Sequence, residues 1–434
     1  MSTTPAATPP SGTSVPPVLD AGPAALAAAV DPLDQAMSTS EFAADPYPVY
    51  ARLRTTDPVH RARIGAWLVT RYEDARFVLD QPARFSSDRT RLEEWQRSIE
   101  PREGEGPLDR TLGRTMLAFD PPEHTRLRTL ANRAFTPRRI ALRPRVEAIV
   151  HELLDQAREA GGMNLIRDFA YPLPITVISE LLGVPAADHP RLREWTRVLI
   201  DESGSLRSKR SFDADQVRRM DAVGEALNDY MSELVKERRA RPGDDLVTDL
   251  VRLAAEGEGM SEDEVVGTCL LLLIAGHETT INLIGNGTLA LLRNPGEWAR
   301  LTGDPALAGD AVEELLRYDS PVQMVGRAVV QDVEVGGVVV RAGEPVLAVA
   351  GAANRDPERF PEPDRLDITR GDREHLSFGG GPHFCLGAPL ARLEARVAFR
   401  ALAERFPDLT LATDAPRWRL GFGLRGLEEL PLAW

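Results

Sequence analysis

The sequence predicts a mainly α-helical protein with a small β region. The first observation is helical periodicity of apolar residues in successive segments, over 146–160, 175–182, 190–200, 212–239 and 245–254. The second is that strand-like alternation is confined to short stretches, over 59–72 around Gly65 and over 329–349 around Gly336 and Gly337. The length of 434 residues alone would favour about two or three domains.

Local signals give the elements of the first third of the chain in order. The predictions are a short helix capped by Asp45 and Pro46, a hairpin over 59–72, a helix over 73–79 and a helix that begins at Asp120. Between the last two, residues 86–116 are polar, charged and without a period. A loop of this length in a compact domain is usually functional or mobile.

Composition argues against several classes of protein. A formal net charge of −14 disfavours general binding to nucleic acid. The longest purely apolar run, 269–275, is too short to cross a bilayer, and no signal peptide is expected. Two cysteines cannot form a disulfide framework, which fits a reducing cytoplasm. Residues 1–36, rich in Pro, Ala, Ser and Thr, predict a disordered leader before a structured region over 37–434.

A long helix begins after Ser261, because Ser261 and Glu264 have the spacing of a capping box. Its middle is apolar on most sides, so we expect it to run through the core. Glu278 and Thr279 interrupt the apolar sequence there. The Thr279 hydroxyl can bond the carbonyl of Ala275 and bend the helix, a defect that often marks function. The alternative is a helix bent for packing, with Glu278 at the surface.

The segment 378–402 combines a glycine-rich loop with a helix. Gly379, Gly380 and Gly381, followed by a proline, favour a tight loop in which backbone amides approach a neighbouring group closely. Cys385 then stands where the helix begins, and free amides at a helix N-terminus favour a thiolate. Such a thiolate suits a soft metal or haem iron. The alternative is a buried, unreactive cysteine.

The segment contains a set of residues at fixed spacing, namely Phe378, Gly381, His383, Cys385 and Gly387. Together they resemble the haem-binding signature of the cytochrome P-450 family, the haem-thiolate monooxygenases. A motif needs structural context, and the remainder of the chain supplies it in the form of further motifs.

Three other segments resemble motifs of the same family and lie in the expected order: His124 with Arg128, the oxygen-activation motif over 275–279, and Glu314 with Arg317 ahead of a Pro-Glu-Arg-Phe segment over 357–360. In the family, the Glu-x-x-Arg pair forms a core ion cluster with the arginine of that later segment, here Arg359. The resemblance covers residues 40–434. It implies one triangular, mainly α-helical domain with a small β region, so the length-based expectation of several domains should fail.

The resemblance also implies haem b (iron protoporphyrin IX) as the cofactor, with the Cys385 thiolate as its iron ligand. The haem propionates would be bound by His124, Arg128, Arg327 and His383, with Arg327 just ahead of the strand region that starts near residue 329. Other positions expected to contact the haem are Ala275, Gly276, Phe378, Gly379 and Gly387.

The implied activity is insertion of one oxygen atom from O₂ into an organic substrate, by hydroxylation or epoxidation. Thr279 and Glu278 would deliver protons. The predicted substrate pocket consists of Leu271, Leu272, Ala275, Met324 and Val325, with the 86–116 loop as lid. These side chains are mostly aliphatic, so the substrate should be bulky and largely apolar, as in the tailoring of secondary metabolites.

The chain shows no flavin or nicotinamide fingerprint, so the electrons should come from a ferredoxin and its NAD(P)H-dependent reductase. We expect the ferredoxin to dock on a basic patch drawn from His124, Arg126, Arg128, Arg133, Arg392 and Arg396. A bacterial, cytoplasmic and monomeric enzyme is expected. A non-catalytic haem-thiolate sensor would not require both Glu278 and Thr279. The sequence does not separate hydroxylation from oxidative C–C or C–N coupling on the same haem.

Overall fold

The computed structural model describes residues 39–92, 106–203, 214–256, 259–421 and 423–434. The predicted leader over 1–36 lies outside these ranges, as do residues 93–105 of the predicted lid.

Helices make up most of the described chain. Their bounds are Ser40–Ala44 (α1), Tyr47–Thr56 (α2), Tyr72–Asp80 (α3), Pro107–Leu112 (α4), Glu123–Ala141 (α5), Arg143–Ala160 (α6), Pro172–Leu182 (α7), His189–Ser203 (α8), Ala214–Ala240 (α9), Leu246–Ala254 (α10), Glu262–Arg293 (α11), Pro295–Gly303 (α12), Ala308–Tyr318 (α13), Ala350–Ala353 (α14) and Ala388–Arg405 (α15). The mainly α-helical class is therefore confirmed.

The strands are short. Their bounds are Val59–Arg61 (β1), Trp67–Val69 (β2), Phe85–Ser86 (β3), Met163–Asn164 (β4), Val325–Val329 (β5), Val333–Val335 (β6), Val338–Val340 (β7), Pro345–Ala348 (β8), Thr410–Leu411 (β9), Arg417–Trp418 (β10), Leu427–Glu429 (β11) and Pro431–Ala433 (β12). The largest sheet has the order β1-β2-β8-β5-β3, with β2 and β8 parallel and the other pairs antiparallel. This sheet joins the N-terminal segment to the β region before the cysteine loop.

The predicted turn at Gly336 and Gly337 is confirmed. It joins β6 to β7, and the two glycines have φ values of +54° and +86°. Positive φ at both central residues is the requirement of a type I′ hairpin turn, which glycine meets without steric cost. The prediction for Arg327 needs a correction, because this residue lies inside β5 and not ahead of it. Its pairing with Val346 of β8 fixes its position in the sheet.

Helix α11 is the centre of the fold. The predicted capping box is present: Glu264 N donates to the Ser261 hydroxyl at 3.2 Å, and Ser261 N donates to the Glu264 carboxylate at 2.7 Å. The helix packs against α7, α9, α13 and α15. Within the described ranges, α11 alone is long and apolar enough to span a membrane, but 67% of its most apolar window is buried, as expected of a core helix.

The hydrogen bond predicted inside this helix is present. Thr279 donates to the carbonyl of Ala275 at 3.2 Å, and α11 is α-helical from Glu262 to Arg293. A bend of the helix at this bond stays a prediction.

The long loop predicted over 86–116 is also partly wrong. Its last part folds into α4, which packs against α9 and α11. The Thr111 hydroxyl donates to the Asn228 side chain of α9 at 2.6 Å. Because α4 is only six residues long, its formation depends on these tertiary contacts, which leave no strong period in the sequence.

The Glu-x-x-Arg pair is a buried ion pair, as the resemblance implied. Arg317 donates to both carboxylate oxygens of Glu314, at 2.7 and 2.8 Å, and both side chains are almost fully buried. The additional arginine is not the predicted one. Arg370 contacts Glu314 at 3.1 Å, whereas Arg359 pairs with Asp372 at 2.7 Å. Removing Glu314 would leave the buried charge of Arg317 without its counter-ion, a change that typically costs ~3–5 kcal/mol.

Candidate active site

The loop before Cys385 has a shape that only glycine permits. Gly379 and Gly381 have φ values of +71° and +58°, and a Cβ atom on Gly381 would lie 2.6 Å from the carbonyl oxygen of Leu79. The amide of Cys385 donates to the carbonyl of Phe378 at 2.9 Å and closes the loop. As predicted, the cysteine therefore stands directly before the N-terminus of α15, which begins at Ala388.

The surroundings of Cys385 act on its pKa in opposite directions. Burial raises the pKa of the thiol, and this is the largest effect. The backbone amides of Gly387 and Ala388 lower it, as do the charges of Arg128 and Arg392. The groups that favour the thiolate are therefore in place, although the side chain itself is only partly buried. A metal ion would complete the stabilisation of the thiolate, since metal ligation deprotonates a thiol.

Four basic side chains from three separate segments come together beside this loop. The rings of His124 and His383 lie 4.2 Å apart, and the charges of Arg128 and Arg327 act on both. Burial lowers the pKa of His124, and the nearby positive charges of Arg128 and Arg327 lower it further. Burial and the charges around it lower the pKa of His383 to about 3. Burial lowers the pKa of Arg327 to about 10. The family resemblance implied that these four residues act together, and the structure brings them into one cluster.

This cluster has hydrogen-bonding capacity that the described residues do not use. Both ring nitrogens of His124 and the Nε2 atom of His383 are buried and have no partner in the described part of the chain. Among the described residues, Arg327 donates to the carbonyl of the adjacent Gly326 alone, and Arg128 to the carbonyl of Phe384 alone. Buried polar atoms are normally satisfied. A group with two carboxylates would satisfy these donors, so the cluster fits haem propionates.

The middle of α11 supplies the second part of the site. Ala275 and Gly276 are exposed, although the turns on either side of them are mostly buried. Thr279 and Glu278 follow, both half-buried. The small side chains of Ala275 and Gly276 leave room for a flat prosthetic group to lie against the helix. The sulfur, the cluster of basic residues and the open helix face together have the chemistry that a haem requires.

Two residues at this helix were not chosen from the sequence. Arg419 lies 3.7 Å from the Glu278 carboxylate, and both side chains are only 15% exposed. His277 is fully buried, its Nδ1 atom is 2.6 Å from the carbonyl of Leu273, and burial lowers its pKa to about 4. The periodicity of α11 could have placed His277 in the core. Nothing in the local sequence indicates Arg419, which comes from the C-terminal β region.

Comparison with known proteins agrees with this geometry. The sequence profile of the family described as Cytochrome P450 matches residues 65–303 and 307–417. The chain belongs to the cytochrome P450 family. It is 45% identical to the cytochrome P450 monooxygenase PikC of Streptomyces venezuelae over 97% of this chain and 95% of that protein. It is 41% identical to the polyketide biosynthesis cytochrome P450 PksS of Bacillus subtilis, covering 91% of this chain and 96% of that one.

A solved structure shares the fold. The crystal structure of P450BioI in complex with an acyl carrier protein ligated to hexadec-9Z-enoic acid superposes with a TM-score of 0.82. It is 40% identical in sequence, and the match covers 91% of this chain and all of that one. The P450 fold predicted for this chain is thereby confirmed. The chain is a haem-dependent P450 monooxygenase, an oxidoreductase whose cofactor is haem b, and this answers the alternative of a non-catalytic haem sensor.

The predicted pocket residues differ in burial. Leu271 and Leu272 are buried in the main core with α11, and Met324 is buried in a smaller core cluster near the N-terminal helices. Val325 is half-buried at the start of β5, and Ala275 is exposed on α11. Their common role in a substrate pocket stays a prediction.

The predicted basic docking patch stays a prediction. Three of its arginines are paired with carboxylates of this chain: Arg126 with Glu264, Arg133 with Glu256 and Arg392 with Glu313. A carboxylate beside an arginine reduces the field that the arginine contributes to long-range attraction. We therefore expect these three arginines to contribute less to docking than unpaired cations would.

Proposed function

We propose that this P450 inserts one oxygen atom from O₂ into a bulky, largely apolar small molecule of secondary metabolism, by hydroxylation or epoxidation. The observation that carries the proposal is the open Ala275–Gly276 face of α11 beside the half-buried Glu278 and Thr279. Two similar proteins support the proposal. One is named as a polyketide biosynthesis P450, and the other was solved in complex with a carrier protein that bears a long acyl chain.

Each site residue has a role in this proposal. The haem, when bound, supplies the redox chemistry of O₂ activation. Cys385 ligates the iron, and the amides of Gly387 and Ala388 stabilise its negative charge. His124, Arg128, Arg327 and His383 bind the propionates, while Phe378, Gly379 and Gly387 shape the loop on the sulfur side. Thr279 positions a proton through its hydroxyl. Glu278, which lies beside Arg419, supplies that proton.

The pocket proposal predicts a specific effect of Ala275→Phe. A phenyl group on the open face of α11 would occupy space beside the haem, so a bulky substrate should bind at least about tenfold more weakly and be oxidised at a different position. Substrate candidates are screened by the shift of the haem Soret band, and affinity and product are then compared between wild type and variant. Gly296→Ala, in open space at the start of α12, is the control.

Unchanged affinity and unchanged products in Ala275→Phe would contradict the pocket. Product mass distinguishes the reaction types, because insertion from ¹⁸O₂ adds labelled oxygen, whereas oxidative C–C or C–N coupling adds none.

We further propose that residues 37–434 form a monomeric, cytoplasmic enzyme that receives electrons from a ferredoxin and its NAD(P)H-dependent reductase. Phe384, directly before Cys385, is 40% exposed, and Leu117 is 56% exposed. Aromatic side chains such as that of Phe384 are enriched at protein–protein interfaces. Since Arg126, Arg133 and Arg392 are paired, docking should depend on apolar contact near Phe384 more than on charge.

Phe384→Ser is therefore expected to slow reduction by ferredoxin several-fold, while reduction by dithionite stays unchanged. Stopped-flow measurement of both reductions gives the comparison, repeated at low and high ionic strength. Val339→Ser, at an exposed valine of the distant β6–β7 hairpin, is the matched control. A steep decrease of the wild-type rate with salt, together with an unaffected Phe384→Ser variant, would show that docking is electrostatic.

A further inference from the structure

Arg392 occupies a specific place on α15, seven residues after Cys385. Its Nε and Nη2 atoms donate to the two carboxylate oxygens of Glu313, at 2.7 and 2.8 Å. Its guanidinium group also lies over the ring of Phe378, with 4.5 Å from the Cζ atom to the ring centroid. A bidentate fork stacked on an aromatic ring is an ordered arrangement, which a loosely held surface arginine does not have.

The pair continues inward to a histidine. His375 Nε2 lies 3.2 Å from the second oxygen of Glu313, and both side chains are buried. Burial opposes ionisation of Glu313, but the hydrogen bonds from His375 and Arg392 hold its pKa at about 2. Burial lowers the pKa of His375. At neutral pH the arrangement therefore consists of one positive charge, one negative charge and a neutral imidazole.

This network touches the cysteine loop at two points. Phe378, which carries the stacked guanidinium, accepts the hydrogen bond from the amide of Cys385 at 2.9 Å. The charge of Arg392 also favours the thiolate form of Cys385. Arg392 thus acts on the sulfur through its field and through the loop that holds it, while Glu313 offsets part of that field.

We propose that the Glu313–Arg392 pair sets the electron density on the Cys385 sulfur, and so the reduction potential of the haem, as a positioning pair behind the ligand. The inference rests on Cys385 as the haem ligand. A positive charge near a thiolate-ligated iron stabilises the reduced, more negative state, and a negative charge destabilises it. Glu313 and Arg392 should therefore shift the potential in opposite directions when each is neutralised.

The test is potentiometry of substrate-free, haem-loaded protein with mediator dyes and no ferredoxin. The buffer is at pH 8.5, where a histidine is neutral. Glu313→Gln leaves the charge of Arg392 without its counter-ion, so the potential should rise. Arg392→Gln leaves the Glu313 carboxylate alone, so the potential should fall. Each shift should change the ratio of reduced to oxidised haem roughly tenfold at a fixed solution potential, which is about 59 mV for one electron.

Additional variants keep the test independent of folding. The double variant Glu313→Gln/Arg392→Gln removes both charges and should return near the wild-type potential, and Arg392→Lys, which keeps the charge, should differ little from wild type. Arg400→Gln removes an exposed arginine of the same helix that pairs with Glu404, and it should leave the potential unchanged. Each sample is first reduced under carbon monoxide, and only protein with the thiolate-type absorption band is titrated.

Equal potentials in wild type, Glu313→Gln and Arg392→Gln would overturn the inference. If Arg392→Gln instead altered only the rate and salt dependence of reduction by ferredoxin, Arg392 would be a docking residue. Absence of the thiolate-type band in wild type would contradict the assignment of Cys385 as the ligand. Equal potentials in protein that shows the band would contradict only the role of the Glu313–Arg392 pair.

Discussion

Cys385→Ala is expected to abolish the absorption band of the reduced carbon monoxide complex that gives the P450 family its name. The band requires a thiolate bound to the haem iron, and alanine offers no ligand. The basic cluster of His124, Arg128, Arg327 and His383 does not depend on the sulfur, so part of the haem should stay bound. Haem content and the carbon monoxide difference spectrum, measured on the same samples, separate loss of ligation from loss of haem.

Cys269 provides the matched control for this experiment. It is fully buried in α11 as part of the main core, and burial raises its pKa to about 12. Cys269→Ala should keep the band at wild-type intensity per haem, with a modest loss of stability from the vacated volume. A Cys385→Ala protein that retained the band would refute the assignment of the ligand.

The parts of the site that sequence could predict are those specified by neighbouring residues. The loop at Cys385 is determined within ten residues, because Gly379 and Gly381 take positive φ and α15 begins directly afterwards. The same holds for the capping box of Ser261 and Glu264, and for the hairpin at Gly336 and Gly337. Short-range sterics and backbone hydrogen bonds decide these features, and both can be read from residue type and spacing.

The partners of long charged side chains could not be predicted in the same way. Arg126 and Arg392 looked like surface cations, yet each is bound to a carboxylate of another helix. Arg359 was expected beside Glu314, but Arg370 is there. Arginine reaches far from its own backbone, so its partner depends on which helices pack together, and that is a tertiary property.

Features that depend on contacts between distant parts of the chain were the hardest to predict. Helix α4 looked like part of a loop, since six residues carry too few apolar positions to establish a period. Arg419 reaches Glu278 from the C-terminal β region, more than a hundred residues further along the chain. The acid–alcohol pair was therefore identified from α11 alone, while the charge beside the acid became known only from the fold.

Glu278→Gln is expected to slow turnover by about 10²–10⁴-fold, the usual contribution of a positioned acid. The amide keeps the size of the side chain and removes the proton that the carboxyl delivers, while Thr279 is unchanged. The turnover rate and the solvent deuterium isotope effect are measured at saturating substrate. Turnover at the wild-type rate would show that protons reach the site by another route.

Thr279→Ala is expected to separate oxygen consumption from product formation. The Thr279 hydroxyl is the group that can hold a proton at the open face of α11, and without it reduced oxygen should leave as hydrogen peroxide. Haem content, substrate affinity and consumption of reduced nicotinamide should stay near wild type, while product per electron pair falls at least about tenfold. Peroxide, product and nicotinamide are measured together, with a substrate that has no hydroxyl group near the oxidised position.

Thr280→Ala distinguishes this effect from a damaged helix. Thr280 also bonds the carbonyl four residues before it, at 3.4 Å to Gly276, but it is buried where Thr279 is half-buried. Loss of a helix-bonding hydroxyl alone would affect both variants similarly, through lower stability and lower haem content. Proton positioning predicts peroxide release in Thr279→Ala and coupled turnover in Thr280→Ala. Fully coupled turnover in Thr279→Ala would mean that the hydroxyl does not direct the proton.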